Sequence, residues 1–275
     1  MTSVGLLHPG EMGAAVGAAL RIGGAEVLWA SEGRTPATCT RAARDELTDA
    51  GTIAQLVEQS EVIVSVCPPH AALDVARAVA ASNFNGIFVD VNAVAPATAR
   101  EIAGVLASVV DGGIIGGPPR AAGATRLYLS GQGAERIAAL FVGSPLDAVV
   151  IGGDIGAASA LKMAYAAWTK GTSALLIAIR ALAAAEGVDD ALLREWAISQ
   201  PDLPNRSEGA ARGTASKAWR FVGEMHEIAD TFATAGLPGN FHRAAAEIYA
   251  RMACFKDVDQ PPTLGEVTRE IRRSG

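Results

Sequence analysis

The stretch VGLLHPGEMGAAVGAAL, residues 4–20, decides the fold. Its opening apolar run predicts a short buried strand, and the Ala-rich sequence that ends it predicts a helix. A glycine-rich turn between strand and helix is the context in which backbone N–H groups at a helix N-terminus bind pyrophosphate. Gly10 would let the backbone approach the phosphates, and Gly13 would let the helix pack on the strand. His8 replaces the usual first glycine, which weakens the motif.

The rest of the N-terminal half repeats this rhythm. Apolar runs near Val27, Val64 and Val89 alternate with helix-forming sequence, which indicates βαβ units around a parallel sheet. Further strands are predicted at 109–115, 127–130 and 148–151, and helices at 13–22 and 71–81. The sequence therefore predicts an α/β fold that begins with a doubly wound parallel sheet.

Strand-like runs disappear after Gly156, so we predict a dinucleotide-binding domain at residues 1–156 and an all-helical domain at 157–275. The most apolar stretch, 159–187, contains Lys162, Lys170 and Arg180, which a lipid-facing helix would tolerate poorly. We expect a buried helix there rather than a membrane span.

Two signals mark helix boundaries in the C-terminal half. Pro201 and Pro204 predict that residues 200–207 interrupt the helices. Thr263 followed by Glu266 is a capping-box pattern, which predicts the start of a short final helix.

Composition excludes several classes of protein. The chain has 275 residues, of which 50% are hydrophobic, and a formal net charge of −6. A nucleic-acid partner needs clustered Lys and Arg, which are missing. The three cysteines are widely separated, so neither a disulfide framework nor a zinc site is indicated. We expect no signal peptide, no membrane association and a reducing cytoplasm.

The segment WASEGRTPAT, residues 29–38, follows the second strand, where an adenosine ribose would bind. Glu32 would accept hydrogen bonds from a free ribose diol, which favours NAD. Ser31, Arg34 and Thr35 would bind a 2′-phosphate, which favours NADP. We favour NADP, and a solvated loop is the alternative.

Five blocks of sequence, taken in order, resemble the β-hydroxyacid dehydrogenase superfamily, which includes 3-hydroxyisobutyrate and 6-phosphogluconate dehydrogenases and imine reductases. The blocks are GLLHPGEMG from Gly5, SVCPPHAA from Ser65, VDVNAVAPATA from Val89, DGGIIGGPP from Asp111 and GAASALKMAYAA from Gly156. They resemble that family's dinucleotide turn, nicotinamide loop, two substrate blocks and lysine-bearing helix.

The resemblance implies a Rossmann-like domain, a long interdomain helix and a helical domain that builds a homodimer. It implies that the cofactor contacts His8, Pro9, Gly10, Glu11 and Met12, together with Cys67, Pro68, Pro69 and Asn92. It implies that a small-molecule substrate contacts Asn92, Ala93, Gly116, Gly117, Lys162, Tyr165, Thr169 and Met225.

Departures from the family concern the substrate. Asn92, Ala93 and Ile115 stand where the family has hydroxyl side chains that hold a carboxylate. Tyr165 and Ala166 stand where it has paired asparagines. The resemblance therefore implies that the substrate is not a standard small 3-hydroxy acid.

Lys162 matches the family's catalytic lysine. An ammonium in an apolar helix demands a partner or loses affinity for its proton, so this amine is suited to proton transfer. Tyr165 and Thr169 follow at helical spacing and share its face, and Tyr165 is a second candidate for proton donation. Asn92 is the third candidate catalytic residue, with a turn-forming role as its alternative. Ser159 and Lys162 also form an SxxK pattern, which pairs a nucleophile with a base in some hydrolases. The further Ser and Lys motifs of those hydrolases are missing, so we do not favour this role.

Residues 222–238 fall where the family carries another lysine helix. Glu224 would attract a cationic substrate, although charged helix residues are usually solvated. His226 and His242 are too far apart for a metal pair, and His8 and His70 lie in loops, so we predict no metal site.

These observations predict an NADP-preferring oxidoreductase that transfers hydride between nicotinamide and a carbonyl or alcohol carbon, with Lys162 handling the proton. Reduction of C=N bonds is one alternative, favoured by the lost hydroxyls and by Tyr165. A dinucleotide-binding sensor without turnover is another, favoured by His8.

Overall fold

A computed structural model describes residues 1–273, and its N-terminal part is built on an eight-stranded sheet. The strands are β1 (Ser3–Leu7), β2 (Glu26–Trp29), β3 (Thr48–Asp49), β4 (Val62–Ser65), β5 (Ile87–Asp90), β6 (Val109–Ile115), β7 (Thr125–Ser130) and β8 (Leu146–Val150). All seven predicted strands are present. The sequence analysis missed β3, because two exposed residues carry no alternation.

The strand order is β3-β2-β1-β4-β5-β6-β7-β8, and its first six strands follow the order of a dinucleotide-binding Rossmann-like sheet. All neighbouring strands are parallel except β6 and β7, which are antiparallel. A parallel pair needs a crossover of about a dozen residues or more, and the segment between Ile115 and Thr125 is too short. The sheet is therefore mostly parallel rather than wholly so.

Six helices accompany the sheet: α1 (Glu11–Ile22), α2 (Pro36–Arg44), α3 (Ile53–Gln59), α4 (Ala72–Ala81), α5 (Pro96–Ala103) and α6 (Ala134–Ala139). Apolar residues of one strand alternate between the two faces of the sheet. Val62 and Val64 join the hydrophobic cluster on one face, and Ile63 joins the cluster on the other. Both faces are therefore covered, as the continuous apolar strands predict.

The C-terminal part is helical: α7 (Ala157–Ala185), α8 (Asp189–Ser199), α9 (Leu203–Thr214), α10 (Ala218–Thr234), α11 (Asn240–Arg251) and α12 (Leu264–Arg273). The predicted capping box starts α12, because Glu266 N donates to Thr263 Oγ1 (3.2 Å) and Thr263 N donates to Glu266 Oε2 (2.7 Å). The predicted interruption at 200–207 is wrong in its second half. Pro204 lies in the first turn of α9, where its missing N–H costs nothing.

The expectation of a buried helix at 159–187 holds for one side of α7 only. One side of α7 is packed, with Met163 and Ile177 fully buried. The opposite side exposes large apolar side chains: Leu161 (36%), Tyr165 (47%), Trp168 (63%), Leu175 (43%) and Leu182 (63%).

The chain divides into two compact units, Met1–Met163 and a second that starts at Ala164. The predicted domain boundary, Gly156, immediately precedes α7, whereas the two units divide within that helix. The first unit therefore includes the start of α7 with Lys162.

Candidate functional site

The glycine-rich turn joins β1 to α1. Gly10 is the N-cap residue of α1, with φ −70°, and its N–H donates to His8 O at 2.7 Å. A Cβ added to Gly10 would meet no atom within 4 Å, whereas a Cβ on Gly13 would collide with the backbone carbonyl of His8. Gly13 thus permits close packing of the helix, and Gly10 borders open space. A glycine N-cap has no side chain to occupy the first N–H groups of α1, which remain available to an anion.

His8 takes the place of the motif's first glycine and adopts its conformation. Its φ is +67°, in the left-handed region that favours glycine. Within residues 1–273, the buried Nδ1 of its half-buried ring has no hydrogen-bond partner. Burial, together with the charge of Arg34, lowers the pKa of His8 to about 4. The imidazole is therefore neutral at physiological pH.

The loop after β2 brings Arg34 to this turn. Arg34 N donates to Ser31 O (3.0 Å), and the buried Arg34 Nε has no hydrogen-bond partner in the described part of the chain. Thr35 caps α2 by accepting from Thr38 N, and Glu32 is exposed. The sequence analysis placed Ser31, Arg34 and Thr35 correctly at the end of β2.

Arg41, on α2, is a residue that the sequence analysis missed. Its Nε donates to Pro9 O (3.2 Å) and its Nη2 to Thr38 Oγ1 (3.1 Å). The guanidinium also lies 3.7 Å from Glu11. No sequence signal marked Arg41, because a basic residue on a polar helix resembles a solvated one.

Cys67, Pro68 and Pro69 follow β4, at the same edge of the sheet as His8. Burial raises the pKa of the Cys67 thiol to about 11, so this thiol stays protonated and is not a nucleophile. The exposed Pro68 precedes a single 3₁₀ turn, Pro69–Ala71.

Asn92 joins the loops after β4 and β5, and its predicted role in binding substrate or cofactor stays a prediction. Its side chain is 3% exposed. Its Nδ2 donates to Ser65 Oγ (3.0 Å) and to Asp90 Oδ1, and its Oδ1 accepts from Cys67 N (2.5 Å). Because these bonds use both Nδ2 protons and an oxygen lone pair, Asn92 is a structural link.

A row of buried polar residues crosses the sheet at the level of these loops. Ser65 pairs in register with Asp90, Asp90 with Asp111, and Asp111 with Ser130. All four are fully buried. None of the four was predicted to be a site residue, although each interrupts or ends a largely apolar run. Such an interruption marks a group that needs internal hydrogen bonds.

Lys162 lies in the second turn of α7 and is half-buried. Its ammonium Nζ donates to Ile114 O at 2.6 Å, which supplies a partner of the kind that the sequence analysis required. A Cβ at Gly113 would lie 2.9 Å from Lys162 Cβ and 2.8 Å from Ala158 O. Glycine at position 113 therefore allows α7 to approach β6 at this point.

Asp111 and Ser130 hold the N-terminus of α7. Asp111 Oδ2 accepts from Gly156 N (2.9 Å), Ser159 N (3.0 Å) and Ser130 Oγ (3.1 Å). Asp111 Oδ1 accepts from Ser159 Oγ (2.6 Å). Ser159 is fully buried and its hydroxyl is bound to Asp111, which speaks against an SxxK nucleophile.

Tyr165 and Thr169 continue along α7. Tyr165 is 47% exposed, and Thr169 Oγ1 donates to Tyr165 O (3.3 Å), so the Thr169 hydroxyl is used within its own helix. Tyr165 remains the predicted second candidate for proton transfer.

Two predictions in α10 need correction. Met225 is completely buried, so it offers no surface to a substrate. Glu224 is paired with Lys170 (2.8 Å), and both side chains are largely buried, at 16% and 14% exposed. The pair satisfies the charge that would otherwise attract a cationic substrate.

The loop after β6 carries the predicted substrate residues Gly116 and Gly117, both exposed. Gly116 has φ +126°, which favours glycine, and Thr125 Oγ1 donates to Gly117 O (2.6 Å). Ala93 is half-buried after β5. Their contact with substrate stays a prediction.

Within residues 1–273, no group of three or more His, Cys, Asp or Glu side chains is arranged to hold a metal ion. Among the helices described here, none combines the length and hydropathy needed to span a bilayer.

Comparison with known proteins identifies two sequence families. Residues 3–142 match the NAD binding domain of 6-phosphogluconate dehydrogenase, and residues 183–252 match a domain of unknown function, DUF1932. An uncharacterized 28.5 kDa protein in the 7S RNA 5′ region of Methanothermus fervidus is 36% identical over 141 residues. That alignment covers 50% of this chain and 54% of the relative, so the match spans about half of each protein.

Solved structures match over nearly the whole chain. The conserved protein MTH1747, of unknown function and structurally similar to 3-hydroxyacid dehydrogenases, is 27% identical with a TM-score of 0.69. The match covers 93% of this chain and 100% of that one. The 3-hydroxyisobutyrate dehydrogenase of Mycobacterium tuberculosis, solved with L-serine, has a TM-score of 0.68 at 19% identity and 99% coverage of both chains. At that identity the likeness supports the fold alone.

Proposed function

Because the chain belongs to the β-hydroxyacid dehydrogenase superfamily, with the NAD binding domain of 6-phosphogluconate dehydrogenase at residues 3–142, we propose that it is an NAD(P)-dependent oxidoreductase. Its substrate is a small molecule with a carbonyl or alcohol carbon. Lys162 is the general acid or base that gives a proton to, or takes it from, the substrate oxygen.

The residues of the first unit fit a dinucleotide. Gly10 borders open space at an uncapped helix N-terminus, which suits pyrophosphate. His8 Nδ1 and Arg34 Nε are buried polar atoms without a partner in residues 1–273, so a ligand in this turn would satisfy them. When bound, the nicotinamide supplies or accepts the hydride, and the chain supplies binding and proton transfer.

The observation that carries the proposal is the bond between Lys162 Nζ and Ile114 O. Ile114 lies near the carboxyl end of β6, which is parallel to β5. The carboxyl edge of the parallel strands also carries the turn at His8 and the loop at Cys67, and ligands of open α/β sheets bind at this edge. This geometry supports a role of the Lys162 amine at the edge that carries the proposed cofactor residues.

Arg34 and Arg41 support a preference for NADP. Two guanidinium groups beside one turn offer charge-assisted hydrogen bonds to a 2′-phosphate. Glu32, which would favour a free ribose, is an exposed residue of the same loop. We therefore expect tighter binding of NADPH than of NADH.

The test combines cofactor titration with turnover. NADPH and NADH are titrated into the wild type, Arg34→Ala and the control Arg44→Ala, which removes a half-exposed arginine at the C-terminal end of α2. We expect Arg34→Ala to weaken NADPH binding by about tenfold or more, and the control to leave it within about twofold. Equal affinity for both cofactors in the wild type contradicts the preference.

Turnover is then measured with aldehydes, hydroxy acids and cyclic imines. Loss of aldehyde or alcohol turnover in Lys162→Ala, with cofactor binding retained, supports the proposal. Reduction of imines that persists in Lys162→Ala favours the C=N alternative, because Lys162 then has no essential proton. Cofactor binding without turnover across the panel favours the sensor.

We also propose a homodimer formed through the helical unit, in a reducing cytoplasm and without nucleic-acid or membrane partners. Every exposed side chain of α7 is that of an apolar residue or tyrosine: Leu161, Ala164, Tyr165, Trp168, Leu175, Leu182, Ala184 and Ala185. An exposed apolar stripe of this length is typical of a surface that a protein partner covers.

A further inference from the structure

Asp111 is fully buried on β6, and its carboxylate oxygens accept hydrogen bonds from the N-terminal end of α7 and from β7. Four donors converge on the two oxygens, at distances of 2.6 to 3.1 Å. Two of the donors, Gly156 N and Ser159 N, belong to the N-terminus of α7. The carboxylate therefore does the work of an N-cap side chain, although it comes from a strand.

A second bond network continues this cap. Ser130 Oγ donates to Asp111 and accepts from Ala158 N (3.0 Å). The second and third N–H groups of α7 are thus held by β7 and β6. Hydrogen bonds between protein groups therefore fix the start of α7 to the sheet.

β6 also determines where the amine of Lys162 lies. Residues 111 and 113 alternate along the strand and so face the same side. At 111 the carboxylate anchors the helix N-terminus, and at 113 glycine lets Lys162 Cβ approach. Ile114 O then receives the ammonium at 2.6 Å. One strand thus holds the helix, admits its close approach and binds its amine.

Electrostatics add a second effect of Asp111. The N-terminus of a helix carries a partial positive charge, which disfavours an ammonium in the first turns. Lys162 follows the capped Ser159 by three residues, a rise of about 4.5 Å along the helix. The negative charge of Asp111 at this end offsets the helix dipole and favours the protonated amine, the form that donates a proton to a carbonyl oxygen.

We propose that Asp111 is a positioning residue for proton transfer, which fixes Lys162 at the carboxyl edge of the sheet and maintains its ammonium form. This inference rests on the proposed function of Lys162. It gives the DGGII segment a role in orienting the amine, where the family resemblance suggested a substrate block.

The test measures the amine itself and needs no substrate. Acetic anhydride labels Lys162 over a range of pH, and the extent is determined by peptide mass spectrometry in the wild type and Asp111→Asn. The asparagine keeps the size of the side chain but removes its charge. We expect labelling at a fixed, mildly alkaline pH to be at least about threefold faster in Asp111→Asn, with the pH profile displaced to lower pH.

Asp154→Asn is the matched control. Asp154 is exposed and lies just before α7, so solvent screens its charge, and we expect labelling to change by less than about twofold. Superimposable labelling profiles for the wild type and Asp111→Asn would overturn the inference. So would an equal displacement in Asp154→Asn, because any charge near the helix end would then suffice.

Ser159→Ala keeps the test decisive if Asp111→Asn fails to fold. It leaves the charge of Asp111 but removes the hydroxyl bond that holds the carboxylate against α7, and it retains the backbone bond. Because the carboxylate is then held less firmly at the helix end, we expect a displacement in the same direction and of smaller size. An unchanged profile in a folded Ser159→Ala would count against the inference.

Once a substrate is found, Asp111→Asn should lower kcat at least about tenfold with KM within threefold. Full turnover by Lys162→Ala would instead overturn the proposed function, whatever the labelling shows.

Discussion

His8 combines a left-handed backbone with a buried ring atom. The sequence analysis treated its presence as a break in the glycine pattern, whereas the backbone keeps the conformation that glycine would adopt, with φ +67°. A left-handed non-glycine residue costs about 1 to 2 kcal/mol. In addition, the buried Nδ1 of His8 has no hydrogen-bond partner within residues 1–273. Both features point to a ligand-binding turn.

The lowered pKa of His8 makes stability depend on pH. The pKa is about 4 in the folded chain, against an ordinary value of 6.5, so the unfolded chain binds a proton first as pH falls. Stability from the neutral ring is complete above pH 6.5 and is lost as pH falls towards 4. We expect His8→Asn, which tolerates the left-handed conformation and does not titrate, to lose about 2 kcal/mol less than the wild type between pH 7 and 4.5.

Denaturant unfolding at several pH values measures this difference. His242→Asn is the comparison variant, because burial also lowers the pKa of His242, away from the turn. Parallel stability curves for the wild type and His8→Asn would show that His8 makes no contribution.

Other residues explain why the candidate site was only partly predictable. Gly10, Gly13 and Lys162 could be predicted from the sequence, because each belongs to a recognisable motif. The internal hydrogen bonds of Asn92 and the complete burial of Met225 could not be predicted, because they depend on neighbours from other elements. Arg41 and Asp111 were missed for the same reason, although a lone carboxylate in an apolar strand is a usable signal.

At the scale of elements, strands were the easiest to predict. The predicted apolar runs of the N-terminal half form strands, because a sheet covered on both faces requires continuous apolar sequence. The short helices α2, α3, α5 and α6 were not individually predicted, since their sequences are polar or brief. The antiparallel β6–β7 pair follows from loop length, which the apolar pattern does not encode.

The turn between β1 and α1 allows a direct test of two glycines. Gly10→Ala places a methyl group in open space, so we expect unchanged thermal stability and at least about tenfold weaker NADPH binding, because the pyrophosphate would meet the methyl group. Gly13→Ala drives its methyl into the His8 carbonyl, so we expect a loss of about 2 kcal/mol or more of unfolding free energy.

Calorimetry and fluorescence titration separate the two effects. If Gly10→Ala binds NADPH as the wild type does, the open space at Gly10 is not the pyrophosphate site. Equal melting temperatures for Gly13→Ala and the wild type would contradict the packing role of Gly13.

At the scale of the whole molecule, the exposed side of α7 is the main departure from expectation. Tyr165, Trp168, Leu175 and Leu182 recur with spacings of three and seven residues along a 29-residue helix. The half-buried Thr172 and Ile179 fill the intervening turns. This alternation is the seam spacing by which two helices pack, and in the proposed dimer a two-fold partner would present the same seam.

Trp168→Glu and Leu182→Glu test the proposed dimer. Each places a charge in the seam, so we expect a dimeric wild type and at least about tenfold weaker association in either variant. Sedimentation velocity over a range of concentrations measures the change. Ile198→Glu, at an 81% exposed position on α8, is the control and should leave association unaltered. A wild type that is monomeric at all concentrations contradicts the proposal.

Trp168 gives the chain an optical reporter of its own. Trp29 and Trp196 are 4% and 8% exposed, so their indoles are shielded from water, whereas Trp168 is 63% exposed. Trp219 is 41% exposed but lies on α10, outside the seam of α7, so it contributes a background that does not depend on this seam. An indole in water emits at longer wavelength and is quenched readily by iodide. Dilution that separates two copies would therefore shift the emission to the red and increase quenching, and Trp168→Phe would remove most of that response. Intrinsic fluorescence of Trp168 would thus report on the proposed dimer without an added label.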